Sequence, residues 1–389
     1  MFNDPTFLGK LFFSVYNVVS ILLLNLLLEK EISGAFLYLL SQVHLTSMIS
    51  RLGSDFYWPS AEKKKKIRIV ENEFKIQFVN VVVATVLYIV ISPYELSAYN
   101  FLIYLFVFWS NNLMQLIGRH YQKYEKHLIS LFLFTVGPMG VCVPLLLIFD
   151  DYSFIVIIAI SNFCICVPFL KHFYNNIEVQ VDDVGFLARL SFFPMLGFGF
   201  LNQNMLALIS GLSSRQAEIT MLVLFQRLAG LISWPLVLFM QSNLPALSAS
   251  TKNFESFSYL VKDYIFRYLP LITILTATSI LVSCLFLIYE DQFSIEAVVT
   301  MLLITFGCIL NALFAYVQYQ MGLKGMAFQL SAILVCSVAI SSGLYFIIDA
   351  GMLGAGGAFL AFHMVVHFSG AIALVRAIKV GQIAAKTNY

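Results

Sequence analysis

Long apolar runs, separated by short polar or charged turns, make up almost the whole chain. A helix needs roughly 20 apolar residues to cross a hydrocarbon core about 30 Å thick. Division at charge clusters and turn residues therefore predicts about twelve membrane-spanning helices. They lie near 6–28, 33–50, 74–92, 97–118, 128–149, 152–171, 185–210, 217–241, 268–289, 295–319, 326–348 and 352–376.

The distribution of basic residues tests this count, because lysine and arginine are retained on the cytoplasmic side during insertion. With both termini placed in the cytoplasm, 20 of the 23 basic residues fall in predicted inner loops or at inner helix ends. The predicted outer turns contain only Lys30 and Arg215 and collect acidic residues such as Glu95 and Asp151. Arg227, the remaining basic residue, lies inside a predicted span. The alternation favours twelve spans with both termini cytoplasmic.

Composition agrees with a protein of the lipid bilayer. Hydrophobic residues make up 60% of the 389 residues and charged residues 11%, with a mean hydropathy of +0.86. The basic stretch EKKKKIR (62–68) is typical of an anchor that faces lipid headgroups and does not favour nucleic-acid binding. The six cysteines lie in apolar runs without metal-ligand spacing, so packing is their expected role.

Two parts of the chain are weakly similar and suggest an internal repeat. LLSQVHLTSMISRLGSDFYWPSAE (39–62) aligns with VLFQRLAGLISWPLVLFMQSNLPALS (223–248), which places Gln42 opposite Gln226. We therefore expect an all-α polytopic membrane protein with two six-helix bundles, residues 1–176 and 177–389. A pseudo-two-fold axis along the membrane normal would relate the bundles and give a V shape with a central cavity.

Arg227 is the main candidate for function. On a continuous helix through residues 221–248 it would lie roughly 15 Å deep, on the same face as Trp234. An arginine facing lipid costs from about 2.5 to more than 10 kcal/mol, so it is expected to face water or a partner. A structural salt bridge is one alternative, although no acid lies at comparable depth. Guanidinium stays charged and binds phosphate through a planar set of donors, which favours an anionic substrate in a hydrated lumen.

Other polar residues of the predicted spans are expected to face protein or water. Asn17 belongs to a polar stripe in the first span. Pro194, Gly197 and Gly199 precede Asn204 in the seventh span, where they would serve either helix packing through small residues or a bend that opens and closes a cavity.

The histidines leave several alternatives open, and catalysis finds little support. His44 lies in the second span, and His363 and His367 are four residues apart in the last one. Metal binding, ordinary packing and a protonation switch are all compatible with that spacing, but no Asp, Glu or Cys cluster completes a metal site. No metal or cofactor is expected. Short loops and the absence of catalytic motifs predict that the protein is not an enzyme.

Four motifs in order carry a resemblance to a known family. They are SRLGSD (50–55), FQRLAGLISWPLVLFMQSNLPALS (225–248), QMGLKGMAFQLSAI (320–333) and GMLGAGGAFLAF (351–362). With them the chain resembles polysaccharide and O-antigen flippases of the multidrug/oligosaccharidyl-lipid/polysaccharide exporter superfamily. The resemblance implies transfer of an undecaprenyl-pyrophosphate-linked oligosaccharide repeat unit from the cytoplasmic to the periplasmic leaflet by alternating access. It also implies a bacterial inner membrane, sodium or proton coupling, and a repeat-unit polymerase and chain-length regulator as partners.

The resemblance and the residues together give a set of expected sites. A cytoplasmic gate is expected at the end of the second span and at the start of the seventh, although FYWPSAE separates the family-like motif from Lys63. The expected substrate-binding residues are Arg227, Gln226, Trp234, Asn17, Gln42, His44 and Asn204, and the expected gate residues are Arg51, Gly53, Asp55 and Arg189.

Two other functions remain as alternatives. A multidrug or cation antiporter would share the fold, but it normally needs a membrane-embedded acid, and no such acid is visible in the predicted spans. A repeat-unit polymerase would also span the membrane many times, but it would usually have a large external loop.

Overall fold

The computed structural model describes three main stretches of the chain and some isolated positions. The described residues are 15–16, 18–24, 26–51, 193–212, 216–233, 254–314, 316–323, 325–348 and 351–387, with single residues or short groups between 82 and 168. These residues are almost entirely α-helical and contain no β-strand. The predicted all-α class is confirmed for this part of the chain.

The helices are numbered here in chain order. They are α1 (Lys30–Arg51), α2 (Phe193–Leu212), α3 (Gln216–Gly230), a 3-10 turn (Leu231–Ser233), α4 (Phe254–Tyr289), α5 (Ile295–Phe314), α6 (Tyr316–Leu323), α7 (Ala327–Ile347) and α8 (Met352–Thr387).

Four of the described helices are long and apolar enough to cross a membrane. They are Lys262–Tyr289, Ile295–Phe314, Ala327–Ile347 and Met352–Lys379. These four correspond to the last four predicted spans, and α4 exposes apolar side chains such as Ile274, Leu281 and Ile288, as contact with lipid requires. The membrane-embedded character is therefore confirmed, and the total of twelve spans stays a prediction.

The chain divides into two compact units. Unit 1 comprises Met1–Leu196 with Ser210–Met221, and unit 2 comprises Gly197–Ile209 with Leu222–Tyr389. Helices α2 and α3 each contribute residues to both units. The predicted bundles, 1–176 and 177–389, stay a prediction.

In unit 1, the beginning of α1 packs against the beginning of α3 and the end of α2. The hydroxyl groups of Ser33 and Thr220 lie 2.6 Å apart, and both side chains are fully buried. The ring of Tyr38 occupies the space that a side chain at Gly211 would need. This glycine therefore permits the close approach of α1 and α2.

In unit 2, α8 is the central helix and packs against α5, α6 and α7. Glycines permit close contact at these crossings. A Cβ atom at Gly356 would lie 3.2 Å from Thr300 Cα, and one at Gly354 would lie 3.1 Å from the Tyr345 carbonyl oxygen. Small residues serve this purpose in membranes, where tight van der Waals packing holds helices together. The glycines of the GMLGAGG motif thus have a packing role.

The eighth predicted span differs from the observed structure. Helix α3 ends at Gly230 and is followed by a 3-10 turn, whereas one regular α-helix was expected through residues 221–248. Pro235 explains the change, because proline has no N–H for a helical hydrogen bond and disfavours the α conformation of the preceding residue. Trp234 itself lies outside the described residues.

Candidate substrate site

Arg227 lies in the last turn of α3, within unit 2. Its side chain is half-buried, between the buried Gln226 and Leu228. The Nε atom is shielded from solvent and has no hydrogen-bond partner, and no carboxylate of the described residues forms an ion pair with the guanidinium. A group of this kind is suited to bind an anion, since its charge cannot be removed and its donors are not all used.

The side of α3 that carries Arg227 is partly open. Gly230 follows Arg227 by three residues and is likewise half-buried, and no neighbouring atom of the described residues lies within 4 Å of the position that its Cβ would take. Residues three apart lie on neighbouring positions of a helix surface. Ala229 and Ile232, in contrast, are fully buried. Arg227 therefore lies at the border between the packed and the open side of α3.

Gln226 connects α3 to α2. Its Nε2 atom donates a hydrogen bond to the Asn202 carbonyl oxygen over 2.6 Å. The side-chain oxygens of Gln226 and Asn202 are buried without a hydrogen-bond partner in the described structure. Amide oxygens of this kind accept hydrogen bonds from hydroxyl groups. Next to Arg227, α3 thus has an acceptor for neutral polar groups as well as a donor for anions.

Three other predicted binding residues have different surroundings. The buried Asn204 donates from Nδ2 to the Phe200 carbonyl oxygen of its own helix over 3.1 Å. Gln42 lies in unit 1, where it is buried one turn after Tyr38 on α1. His44 is half-buried and follows Gln42 by two residues on the same helix. A common lumen for these residues and Arg227 stays a prediction.

The remaining predicted residues are only partly described. Arg51 is the last residue of α1. The other gate residues and two binding residues lie outside the described residues: Gly53, Asp55, Arg189, Asn17 and Trp234. The gate therefore stays a prediction.

The predicted bending residues lie in a continuous helix. Pro194 is in the first turn of α2, where its missing N–H has little cost. At Gly197, a Cβ atom would meet Leu334 of α7 at 3.9 Å, whereas one at Gly199 would meet no atom of the described residues within 4 Å. The described residues therefore do not require a glycine at position 199 for packing. Bending at this point stays one of the two predicted roles.

Asn311 on α5 is a polar contact that the sequence analysis did not single out. Its Nδ2 atom donates to Ser233 Oγ over 2.9 Å and so links α5 to the 3-10 turn that follows α3. Its side-chain oxygen is buried without a hydrogen-bond partner among the residues described. The available signal was an asparagine in the apolar run GCILNALF (307–314), because polar residues in spans mostly face protein or water.

His363 and His367 on α8 are both fully buried and hydrogen-bonded to one another. His363 Nδ1 lies 3.3 Å from His367 Nε2, and the rings are stacked at 15°. Gln318 Nε2 on α6 lies 3.1 Å from His367 Nδ1. The described residues contain no group of three His, Cys, Asp or Glu side chains that could hold a metal ion. At this position the described residues form a chain of hydrogen-bonded polar side chains rather than a metal cluster.

The architecture and the membrane-capable helices define the class of the molecule as an all-helical, membrane-embedded protein. No protein-family model, no curated protein and no solved structure matches the chain.

Proposed function

We propose that this protein is a flippase that moves an undecaprenyl-pyrophosphate-linked oligosaccharide across the bacterial inner membrane. The observation that carries the proposal is Arg227, a half-buried cation that no described carboxylate neutralises. A charge in this position costs free energy unless water or an anion compensates it. The pyrophosphate of a lipid-linked sugar is such an anion, and a guanidinium matches its oxygens with several parallel donors.

Sugar hydroxyl groups would be bound beside the phosphates. The unpartnered side-chain oxygens of Gln226 and Asn202 can accept hydrogen bonds from hydroxyl groups. Asn311 has a third such oxygen, on α5. A neutral polar substrate part next to an anionic part is the combination that a lipid-linked oligosaccharide offers. The polyprenyl tail would remain in the bilayer throughout.

Transport would follow the alternating exposure of one binding site to the two sides of the membrane. The two predicted six-helix bundles would move relative to one another, with Arg51, Gly53, Asp55 and Arg189 at the cytoplasmic gate. A sodium or proton gradient would drive the step, and the exported units would pass to a polymerase and its chain-length regulator.

The test is complementation of a strain that lacks the gene. Deletion is expected to trap undecaprenyl-linked single repeat units in the cytoplasmic leaflet. The wild type should restore export, whereas Arg227→Ala should not, although it is present in the membrane at a normal level. Arg376→Ala is the matched control, since it removes an exposed arginine in the last third of α8 and should support export.

Three results would contradict the proposal. Full export by Arg227→Ala would remove the role of the guanidinium. Accumulation of exported but unpolymerised units in the deletion strain would indicate a polymerase instead, and resistance to cationic compounds lost with the gene would indicate an antiporter.

A further inference from the structure

A directed chain of hydrogen bonds runs from α6 into α8. Gln318 Nε2 lies 3.4 Å from the Val366 carbonyl oxygen and 3.1 Å from His367 Nδ1. Because a carbonyl oxygen only accepts, the first contact identifies Nε2 as the donor side of the amide. His367 Nδ1 must then be an acceptor, and its Nε2 carries the hydrogen.

The hydrogen position on the second ring, His363, follows in the same way. His367 Nε2 donates to His363 Nδ1 over 3.3 Å, so His363 carries its hydrogen on Nε2. His363 Nε2 is buried and has no hydrogen-bond partner within the described part of unit 2. In the neutral state, each ring therefore uses its basic nitrogen as an acceptor inside the chain.

The chain of hydrogen bonds can hold one added proton only if the hydrogen bond at one of its ends changes direction. With the hydrogen bond between the rings retained, a singly protonated pair carries hydrogens on both outer nitrogens, His367 Nδ1 and His363 Nε2. The hydrogen on His367 Nδ1 would point at the NH₂ group of Gln318. Rotation of that amide by about 180° places its oxygen there instead and turns the contact into a charge-assisted hydrogen bond.

From this geometry we propose that His363 and His367 form a binding site for a single proton, with rotation of the Gln318 amide as the structural response. The proton forms a new N–H bond on His367, whose two N–H groups then donate to Gln318 Oε1 and His363 Nδ1. The Gln318 Nε2 bond to the Val366 carbonyl oxygen is lost in exchange. A second proton would place two imidazolium rings 5.4 Å apart and is disfavoured.

Aromatic rings surround the pair and can compensate part of the cost of a buried cation. The rings of Phe198 and Phe314 lie 5.7 Å and 6.2 Å from His367, and Phe359 lies 4.5 Å from His363. Cation–π contacts at such distances contribute about 0.5–2 kcal/mol. Aromatic rings thus lie next to the pair where the described residues provide no counter-ion.

Titratable groups on the surrounding helices are few. On the described residues of α2 there are none, and α8 carries its own bases, Arg376, Lys379 and Lys386, all more than two turns from His367. On α5 and α6 the titratable side chains are Glu296, Cys308, Tyr316 and Tyr319. Glu296 lies 11 residues before Gly307, the α5 residue next to His363, which corresponds to roughly 16 Å along the helix. No carboxylate on these elements is close enough to hold the proton in place of the histidines.

Helix α2 connects the pair with the candidate substrate site. Phe198 packs against both histidines, and Asn202, one turn further on α2, accepts the hydrogen bond from Gln226. A change in the packing of Phe198 would therefore occur one helical turn from the hydrogen bond between α2 and α3, the helix that carries Arg227. Coupling of this proton to transport rests on the proposed function, whereas proton binding does not.

The test uses nitrogen-15 NMR of the full-length protein in lipid nanodiscs, with labelled histidine and glutamine. The coupling across the N–H···N bond identifies the pair in the wild type without any variant. Two Nε2–H tautomers are expected at high pH. On acidification, both rings and the Gln318 amide should change together with the uptake of one proton.

Gln318→Glu sharpens the test, because it places a carboxylate where the amide oxygen is expected. Proton uptake should then occur about 1–3 pH units higher than in the wild type, since a nearby opposite charge favours the imidazolium. Gln320→Glu is the matched control: it makes the same change at a buried residue two positions along α6 and should leave the titration of the pair at the wild-type pH.

Several results would overturn the proposal. These are an Nδ1–H tautomer at either ring, independent titration of the two rings, and no titration down to pH 4.5 in both the wild type and Gln318→Glu. An equal shift in Gln318→Glu and Gln320→Glu would also contradict it. None of these readouts depends on the transported molecule, so failure of the flippase proposal would leave them unaffected.

Discussion

Two polar regions of unit 2 accommodate ionisable side chains in opposite ways. At the end of α3, Arg227 is half-buried and retains donor capacity that no described side chain uses. On α8, His363 and His367 are fully buried and joined to Gln318 in one chain of hydrogen bonds. The first region is open and charged, and the second is closed and can be neutral.

The difference follows from the chemistry of the two side chains. Arginine cannot lose its proton in a protein, so inside a membrane it needs water or an anion beside it. Histidine can be uncharged and is then stable in the interior if its two nitrogens find partners. A fixed charge therefore indicates where a substrate anion can bind, and a neutral pair indicates where a proton can be stored.

The largest effect is expected on substrate affinity, at Arg227 in the charged region. Arg227→Met should weaken binding of the lipid-linked oligosaccharide by about 10- to 100-fold, as expected for the loss of a hydrogen-bonded charge worth about 1.5–3 kcal/mol. Its thermal stability should be unchanged or higher, because an uncompensated charge is removed from the interior. Binding to the purified protein and the midpoint of thermal unfolding measure the two effects. A marked loss of stability without a loss of affinity would give Arg227 a structural role instead.

A smaller effect is expected on the free energy of unfolding, at Gly307, where α5 packs tightly against the neutral region. A Cβ atom at Gly307 would lie 2.9 Å from the Phe359 ring and 3.2 Å from His363 Cδ2. Gly307→Val should therefore lower the free energy of unfolding by about 1–3 kcal/mol through overpacking. The control is Gly343→Val on the exposed side of α7, where no atom of the described residues lies within 4 Å of the added Cβ. Equal unfolding midpoints for the two variants would contradict the tight packing of α5 on α8.

The smallest expected effect is at the contact between α2 and α3. Gln226→Met removes the bond to the Asn202 carbonyl oxygen and should cost about 1 kcal/mol, since this oxygen keeps its helical hydrogen bond. Gln203→Met, at an exposed position on α2, is the control and should unfold at the wild-type temperature. A destabilisation as large as that of Gly307→Val would mean that the amide is part of a larger network.

Helical class and the positions of the last four spans could be predicted because apolar length alone determines them. The end of α3 at Gly230 was missed, although Pro235 provided the signal, because the apolar pattern continues unbroken across it. The Gln318 chain and the Asn311–Ser233 bond could not be predicted, since each joins helices whose rotation about their axes the sequence does not determine. Arg227 was predictable as a candidate, but the absence of an ionic partner for it among the described residues depends on tertiary structure.

The early end of α3 has one more consequence for Arg227. Peptide dipoles sum along a helix and leave about half a negative charge at its C-terminus, and Arg227 belongs to that final turn. The backbone thus neutralises part of the guanidinium charge without occupying its side-chain donors. An anion bound there would meet an attraction that the protein has already moderated, which would favour the release step of the proposed transport.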